Sequence, residues 1–188
     1  MSVLLPDPVI WCLLDNRAGN QNQCLGVANA LNLPFAKIII DYNHFGSFPN
    51  IVLGSSFLSL TKKSKNNLKK PWPNILIAAG RRTGPIAQAV KRKSKNKTKL
   101  IQIMDPGFPR KSFDLLAIPS HDISQSGGNI LKIVGAPHQV TPKNLENAAK
   151  QWEKHFSKLP RPWVGLLLGG STRRREFTHD MAAELGKV

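Results

Sequence analysis

Nine residues, Asp15-Asn16-Arg17-Ala18-Gly19-Asn20-Gln21-Asn22-Gln23, gather a carboxylate, a guanidinium, a glycine and five side-chain amides. That set suits an anion. Arg17 can grip a phosphate or carboxylate in bidentate fashion, and backbone N–H groups around Gly19 and Asn20 at a helix start favour negative charge. A second stretch, Gly80-Arg81-Arg82-Thr83-Gly84-Pro85, repeats the theme with two guanidiniums and a hydroxyl. Asp15 is either a general base or a carboxylate that orders its own loop by accepting N–H groups. His121-Asp122 pairs an imidazole with a carboxylate and could take a proton from a hydroxyl. Adjacent residues on an extended chain point to opposite sides, so the two are not automatically a dyad. His138 is open in the same way. His44, His155 and His179 belong to no constellation, and Asp105-Pro106-Gly107 reads as a turn first. The first stretch has one glycine, so it is neither a P-loop nor a dinucleotide fingerprint. Its plainer reading is a capped helix start, with Asn20 as N-cap and Gln23 three residues on.

These residues need elements to hold them. Val9–Leu14 is an apolar run that reads as a buried strand, and Leu25, Ala28 and Leu31 follow at helical spacing from about residue 21. Further apolar strands are expected at Ala36–Ile40, Ile75–Ala79, Leu100–Met104, Leu115–Ile118 and Ile130–Val134. Ile51–Leu60 is apolar but ambiguous between a short strand and a corner. Ile86 to Val90 predicts a short helix with Pro85 in its first turn. Leu145, Ala148, Ala149, Trp152 and Phe156 give a helix over about 142–157 with a core-facing stripe, and Trp72 reads as a packed anchor. Pro160-Arg161-Pro162 reads as a linker. A strand over Trp163–Leu168, a glycine turn at Gly169-Gly170-Ser171-Thr172 and a helix over Glu176–Lys187 follow. Apolar strands alternating with helices predict an α/β fold, a Rossmann-like parallel sheet with helices on both faces. Polar residues fall at the strands' carboxyl ends, where such sheets bind ligands. The expected division is 1–160 as one domain and 161–188 as the start of a second, in a chain that looks like part of a longer protein.

The 188 residues carry 27 Lys and Arg against 11 Asp and Glu, a net charge of +16 with a pI near 10.3. Such a balance attracts polyanions: nucleic acid, acidic lipid or phosphorylated ligands. The excess is local, in Lys62–Lys70, Lys91–Lys99 and Arg173-Arg174-Arg175. No aromatic residues interleave with the two lysine runs, which weighs against single-stranded nucleic acid. No nucleic-acid motif is present, so specific nucleic-acid binding is not expected. Cys12 and Cys24 are too few for a disulfide framework and read as buried thiols. No Cys and His spacing suits a metal, so none is expected. The start lacks the basic region of a signal peptide, and no apolar run reaches the roughly 20 residues of a membrane span. A cytoplasmic protein, peripheral on the inner face of a membrane, is the expectation.

Five segments carry a family resemblance: LLDNRAGNQNQCLGVANAL (Leu13–Leu31), AAGRRTGPIA (Ala78–Ala87), FDLLAIPSHD (Phe113–Asp122), NILKIVGAPHQVTP (Asn129–Pro142) and GLLLGGSTRRREFT (Gly165–Thr178). In collinear order they resemble the plant elongated-mitochondria fission factor and its bacterial relatives, which are labelled nucleoside-diphosphate-sugar epimerases. The resemblance implies a two-domain, glycosyltransferase type-B-like architecture with this chain as its first half. It also implies a nucleoside-diphosphate sugar as donor and no separate cofactor. Gly169-Gly170-Ser171 would approach the donor diphosphate, and the elbows at Asp15–Asn20 and Gly80–Gly84 would hold the acceptor or the transferring group. The implied activities are a glycosyltransferase acting on a lipid-linked acceptor or an epimerase. The implied alternative is a non-catalytic, membrane-associated protein that recruits a protein partner.

Overall fold

The structure, a computed structural model, describes residues 8–107, 109–122, 127–168 and 176–187. Six strands form one parallel sheet: β1 Ile10–Leu14, β2 Phe35–Ile39, β3 Ile75–Ala79, β4 Lys99–Ile103, β5 Leu115–Pro119 and β6 Ile130–Ile133, in the order β2-β1-β3-β4-β5-β6. This is the expected α/β, Rossmann-like sheet. Six helices occur among the described residues: α1 Ala18–Ala30, α2 Asn50–Leu53, α3 Lys62–Asn67, α4 Gly84–Lys93, α5 Pro142–Phe156 and α6 His179–Leu185.

Burial explains why the strands read as apolar runs. All five residues of β1 are buried, as are four of five in β3 and in β5. Alternate residues serve opposite faces. Trp11 and Leu13 pack with Leu76, Ala78, Ile86 and Val90 on the α4 side, while Ile10, Cys12 and Leu14 pack with Cys24, Ala28 and Ile77 on the α1 side. The edge strands β2 and β6 are only partly covered. Trp72 anchors as expected, its ring 6.0 Å from that of Trp11, edge to face. Both cysteines are buried free thiols.

Several expectations need correction. Helix α1 buries Cys24 and Ala28, four residues apart, whereas Leu31 is exposed. The start of α1 is at Ala18, so Asn20 lies inside the first turn and the capping box does not form. Arg17 holds the N-cap position, and no side chain caps it. Ile51–Leu60 is not a strand: it contains α2 and a turn. Within the first lysine run, Lys62–Asn67 forms the helix α3, capped by Thr61, whose side chain accepts from the Ser64 N–H.

The chain divides into two compact units, residues 1–144 and 145–188. In the second unit Trp163–Leu168 forms no strand, and Val164 and Leu167 are over nine-tenths exposed. Trp152 and Phe156 are not core: they are exposed and line an open groove of about 550 Å³ with Leu145, Ala148, Arg161 and Trp163. The periodicity correctly marked one apolar face; periodicity alone cannot say what covers it.

At the amino edge of the sheet, Asp114 ties three elements together. Its carboxylate accepts from Lys91 Nζ of α4 at 2.6 Å, Lys99 Nζ of β4 at 3.0 Å and the Leu100 N–H at 2.9 Å. Burial pushes this carboxyl up, but the hydrogen bonds from Lys91, Leu100 and Lys99, with the Lys91 charge, outweigh it and bring it down to about 2 from the ordinary 3.8. A carboxyl depressed in the folded state stabilises the fold above its unfolded value and loses that contribution as pH falls through the folded one. Stability should therefore fall between about pH 4 and pH 2. Asp114→Asn should remove on the order of 1–2 kcal/mol at neutral pH and flatten that slope. Urea midpoints of both proteins across this range check the prediction.

Candidate functional site

Strand order decides where a ligand would sit. Between β1 and β3 the chain reverses direction across the sheet, because β1 leads to the edge strand β2 while β3 leads the other way. Loops part at such a switch point and leave a crevice at the carboxyl ends of the strands. The loop after β1 begins at Asp15, and the loop after β3 begins at Gly80. The two elbows singled out in the sequence therefore flank the switch point.

Asp15 is 1% exposed. One carboxylate oxygen accepts from the Arg17 N–H at 3.1 Å, and both accept from Asn20 Nδ2, at 3.2 and 3.0 Å. The Asp15 carbonyl accepts from Gln21 Nε2 at 2.6 Å. Asp15 thus orders the elbow, which favours the structural of its two readings. Asn20 bridges to the second elbow. A Cβ on Gly80 would lie 2.5 Å from Asn20 Nδ2, and Gly80 sits at φ +83°. Only glycine combines that backbone with that proximity. The Gly80 carbonyl accepts from Thr83 Oγ1 and from Gln102 Nε2, both at 2.8 Å. Thr83 is therefore a brace within the loop.

Arg82 is half-buried. Its guanidinium lies 3.8 Å from the centroid of the Tyr42 ring, and its Nε donates to the Gly46 carbonyl at 3.0 Å. A Cβ at Gly46 would fall 2.7 Å from both the Arg82 guanidinium and Tyr42. Burial, then the Asp15 charge, raises the Tyr42 hydroxyl above its ordinary range, while Arg82 and Arg17 pull it down. Tyr42 therefore keeps its proton and is a donor. Asp15, Arg17, Tyr42 and Arg82 thus share one electrostatic neighbourhood at the switch point. Neither Arg17 nor Arg82 pairs with a carboxylate among the described residues.

Arg81 is turned to another task. Asn50 Nδ2 donates to the Arg81 and Pro106 carbonyls at 2.8 and 2.7 Å, and Arg81 Nη1 donates back to Asn50 Oδ1 at 3.2 Å. Asp105 closes its turn through the Gly107 N–H and an ion pair with Arg110, whose hydrogen bonds hold its carboxyl below the usual range. Gln23 reaches across to Met104 Sδ at 3.6 Å. Space beside Gly19 is open, with nothing within 4 Å of a Cβ there.

His121 and Asp122 follow β5. They are exposed, with Nε2 and Oδ1 3.6 Å apart. β5 is three positions from β1, about 14 Å at ordinary strand spacing. The structure does not bring this pair to Asp15. His138 has a local role: its backbone packs on Gly26, and its Nδ1 accepts from the Val140 N–H at 3.2 Å. Gly169, Gly170 and Ser171 lie outside the described residues. Tyr42, Gly46 and Gln102 were not singled out from sequence. Tyr42 carried a signal, as the single tyrosine directly beyond a strand's carboxyl end.

The profile of the mitochondrial fission ELM1 family matches residues 18–188. The chain belongs to that family. Against an uncharacterized protein of Rickettsia prowazekii (strain Madrid E) it is 27% identical, covering 92% of this chain and 57% of that protein. Against the mitochondrial fission protein ELM1 of Arabidopsis thaliana it is 24% identical, covering 71% of this chain and 36% of that protein. The chain thus spans between a third and three-fifths of the lengths of these two relatives. No solved structure matches it. Among the described residues no helix is long and apolar enough to cross a membrane, and no group of His, Cys, Asp and Glu is placed to hold a metal.

Proposed function

We propose that the crevice between the Asp15 and Gly80 elbows binds the phosphate or carboxylate of an anionic substrate. The observation that carries this is the Arg82 guanidinium, 3.8 Å from the Tyr42 ring centroid, with Arg17 on the facing elbow and neither arginine paired with a carboxylate among the described residues. Beneath the Gly80 elbow, where its Nε2 donates to the Gly80 carbonyl, Gln102 keeps a buried Oε1 without a hydrogen-bond partner. An unpaired buried group is rare and costly.

In this reading the chain supplies one side of a nucleotide-sugar-dependent, glycosyltransferase-like enzyme. Residues 1–160 form its first domain, and residues from 161 open the domain that holds the donor diphosphate. Backbone N–H groups and arginines would neutralise the diphosphate without a metal. Asp15 holds the first elbow in shape, so proton transfer would fall to a group brought by the substrate or by residues beyond this chain. Similarity to a mitochondrial fission protein of Arabidopsis thaliana supports a second, non-catalytic reading. In that case the crevice would bind an anionic segment of a protein partner.

Isothermal titration of the protein with inorganic pyrophosphate, UDP, GDP and UDP-glucose tests the proposal. Saturable binding by at least one probe, weakened in Arg82→Ala, is the expected result. A folded protein that binds none of the four would overturn the nucleotide-sugar reading and leave the recruitment reading.

A further inference from the structure

The segment joining β2 to α3 faces two ways. Toward the protein, Gly46 and Asn50 hold Arg82 and Arg81. Away from it, the same segment exposes Phe45, Phe48, Ile51, Val52 and Leu58, with Ile51 at 73% and Val52 at 63%. Five large apolar side chains in fourteen residues is a cluster rather than the scattered exposure normal for a surface.

The loop that presents them is closed on itself. Tyr42 and Leu60 pair as an antiparallel bridge, and Asn43 binds the carbonyls of Leu58 and Leu60. The N–H of Phe45 donates to Asn43 Oδ1. Those of Gly46, Phe48, Val52, Leu53 and Gly54 donate to the carbonyls of Asn43, Phe45, Pro49, Pro49 and Asn50. Six N–H groups of the apolar turns are therefore paired within the loop. A segment that approaches hydrocarbon gains from satisfying its backbone internally; this one pairs much of its backbone while presenting its apolar side chains outward, at a depth suited to the interface rather than the hydrocarbon core.

Charge supplies the second half. Residues 42–104 contain thirteen Lys and Arg and no Asp or Glu, thirteen of the chain's net sixteen charges. The fold brings the two lysine runs onto the flank of the apolar loop. Lys65 of α3 and Arg92 and Lys93 of α4 line one cleft with Phe57 and Leu58. Lys93 Nζ lies 5.6 Å from the Phe57 ring centroid. Lys91 and Lys99 are engaged by Asp114, but Lys62, Lys63, Lys69, Lys70, Lys95 and Lys97 form no ion pair with it or with any other carboxylate among the described residues.

We infer that the 43–60 loop and its lysine flank dock on an anionic lipid bilayer, with Phe48, Ile51 and Val52 entering the interface and the lysines facing the headgroups. A nucleic acid would use the charge but has no use for the aliphatic tips. A protein groove would use the tips but gains little from so many unpaired lysines. Docked this way, the loop that cradles Arg82 lies at the membrane surface, and the crevice opens within reach of a lipid-borne group.

Co-sedimentation with vesicles tests this. Equimolar phosphatidylcholine and phosphatidylglycerol vesicles should carry the protein down, while pure phosphatidylcholine should carry little. Ile51→Ser with Val52→Ser should weaken binding about tenfold or more. Each of Lys62→Gln, Lys65→Gln and Lys93→Gln should cost about fivefold at low salt. These side chains are on the surface, and circular dichroism confirms that the variants fold. Absence of binding to the anionic vesicles overturns the inference. So does binding that is indifferent to the serine pair and equally competed by duplex RNA, which would be general polyanion attraction. The pyrophosphate titration is independent, so either site can fail without the other.

Discussion

Gly80→Val should cost the protein about 3 kcal/mol of stability and abolish binding in the crevice. Two terms contribute. A β-branched residue at φ +83° is strained whatever surrounds it. The new side chain also meets Asn20 Nδ2. Asn20 is an amide end and could swing aside elsewhere, but here it supplies hydrogen bonds to both oxygens of a buried carboxylate. Moving it takes two hydrogen bonds from the buried Asp15 carboxylate, and an under-paired buried charge costs on the order of 1–3 kcal/mol. The backbone cannot yield either, since the Gly80 N–H donates to Ile103 and its carbonyl takes Thr83 and Gln102. Urea denaturation of Gly80→Val, Gly80→Ala and Asn20→Ala separates the terms. Gly80→Ala keeps most of the backbone strain; Asn20→Ala has only the lost donors. A Gly80→Val protein as stable as its parent would mean that the elbow is not built as described.

Arg82→Ala should lower affinity for pyrophosphate or a nucleoside diphosphate by about tenfold to a hundredfold, the range for a charge-assisted hydrogen bond in a partly buried place. Arg82→Lys should recover little. A lysine cannot donate sideways to the Gly46 carbonyl, lie flat over Tyr42 and still present paired donors to an anion. The stability cost of Arg82→Ala should be about 1–2 kcal/mol, from the lost hydrogen bond to the buried Gly46 carbonyl and the lost contact with the Tyr42 ring. Arg17→Ala is the useful companion. Arg17 is exposed, so stability should hold within about 0.5 kcal/mol while affinity falls by a similar factor. Titration calorimetry beside thermal melts reads both quantities. Loss of stability with unchanged affinity in Arg82→Ala would make Arg82 a brace for the loop and nothing more.

The sheet was legible because parallel strands are buried on both faces and announce themselves as unbroken apolar runs. Ile75–Ala79 was placed to the residue, and the other five strands fell within one residue of the expected ends. The site was half legible. Asp15, Arg17, Gly80 and Arg82 stood out because chemistry-bearing residues followed strands directly. Tyr42 and Gly46 did not, since their roles come from a ring and a carbonyl meeting Arg82 some forty residues away. The capping box failed because the helix starts two residues before Asn20, which places its amide inside the first turn, where Nδ2 donates to the buried Asp15 carboxylate. Trp152 and Phe156 were placed in the core because spacing reports a face, and the partner for that face is not encoded in the helix itself.

The position of β1 between β2 and β3 has a kinetic consequence. β1 pairs locally with β2, but its other edge waits for β3, whose residues lie some sixty-five positions later. Pairing at that separation closes a long loop, which slows folding more than it affects final stability. Until it happens, Asn20 has no Gly80 to rest on and Arg82 has not arrived. During synthesis, the amino-terminal elbow would therefore leave the ribosome unfinished, and the crevice would acquire its shape only after the polymerised chain has passed the whole apolar loop and the first lysine run.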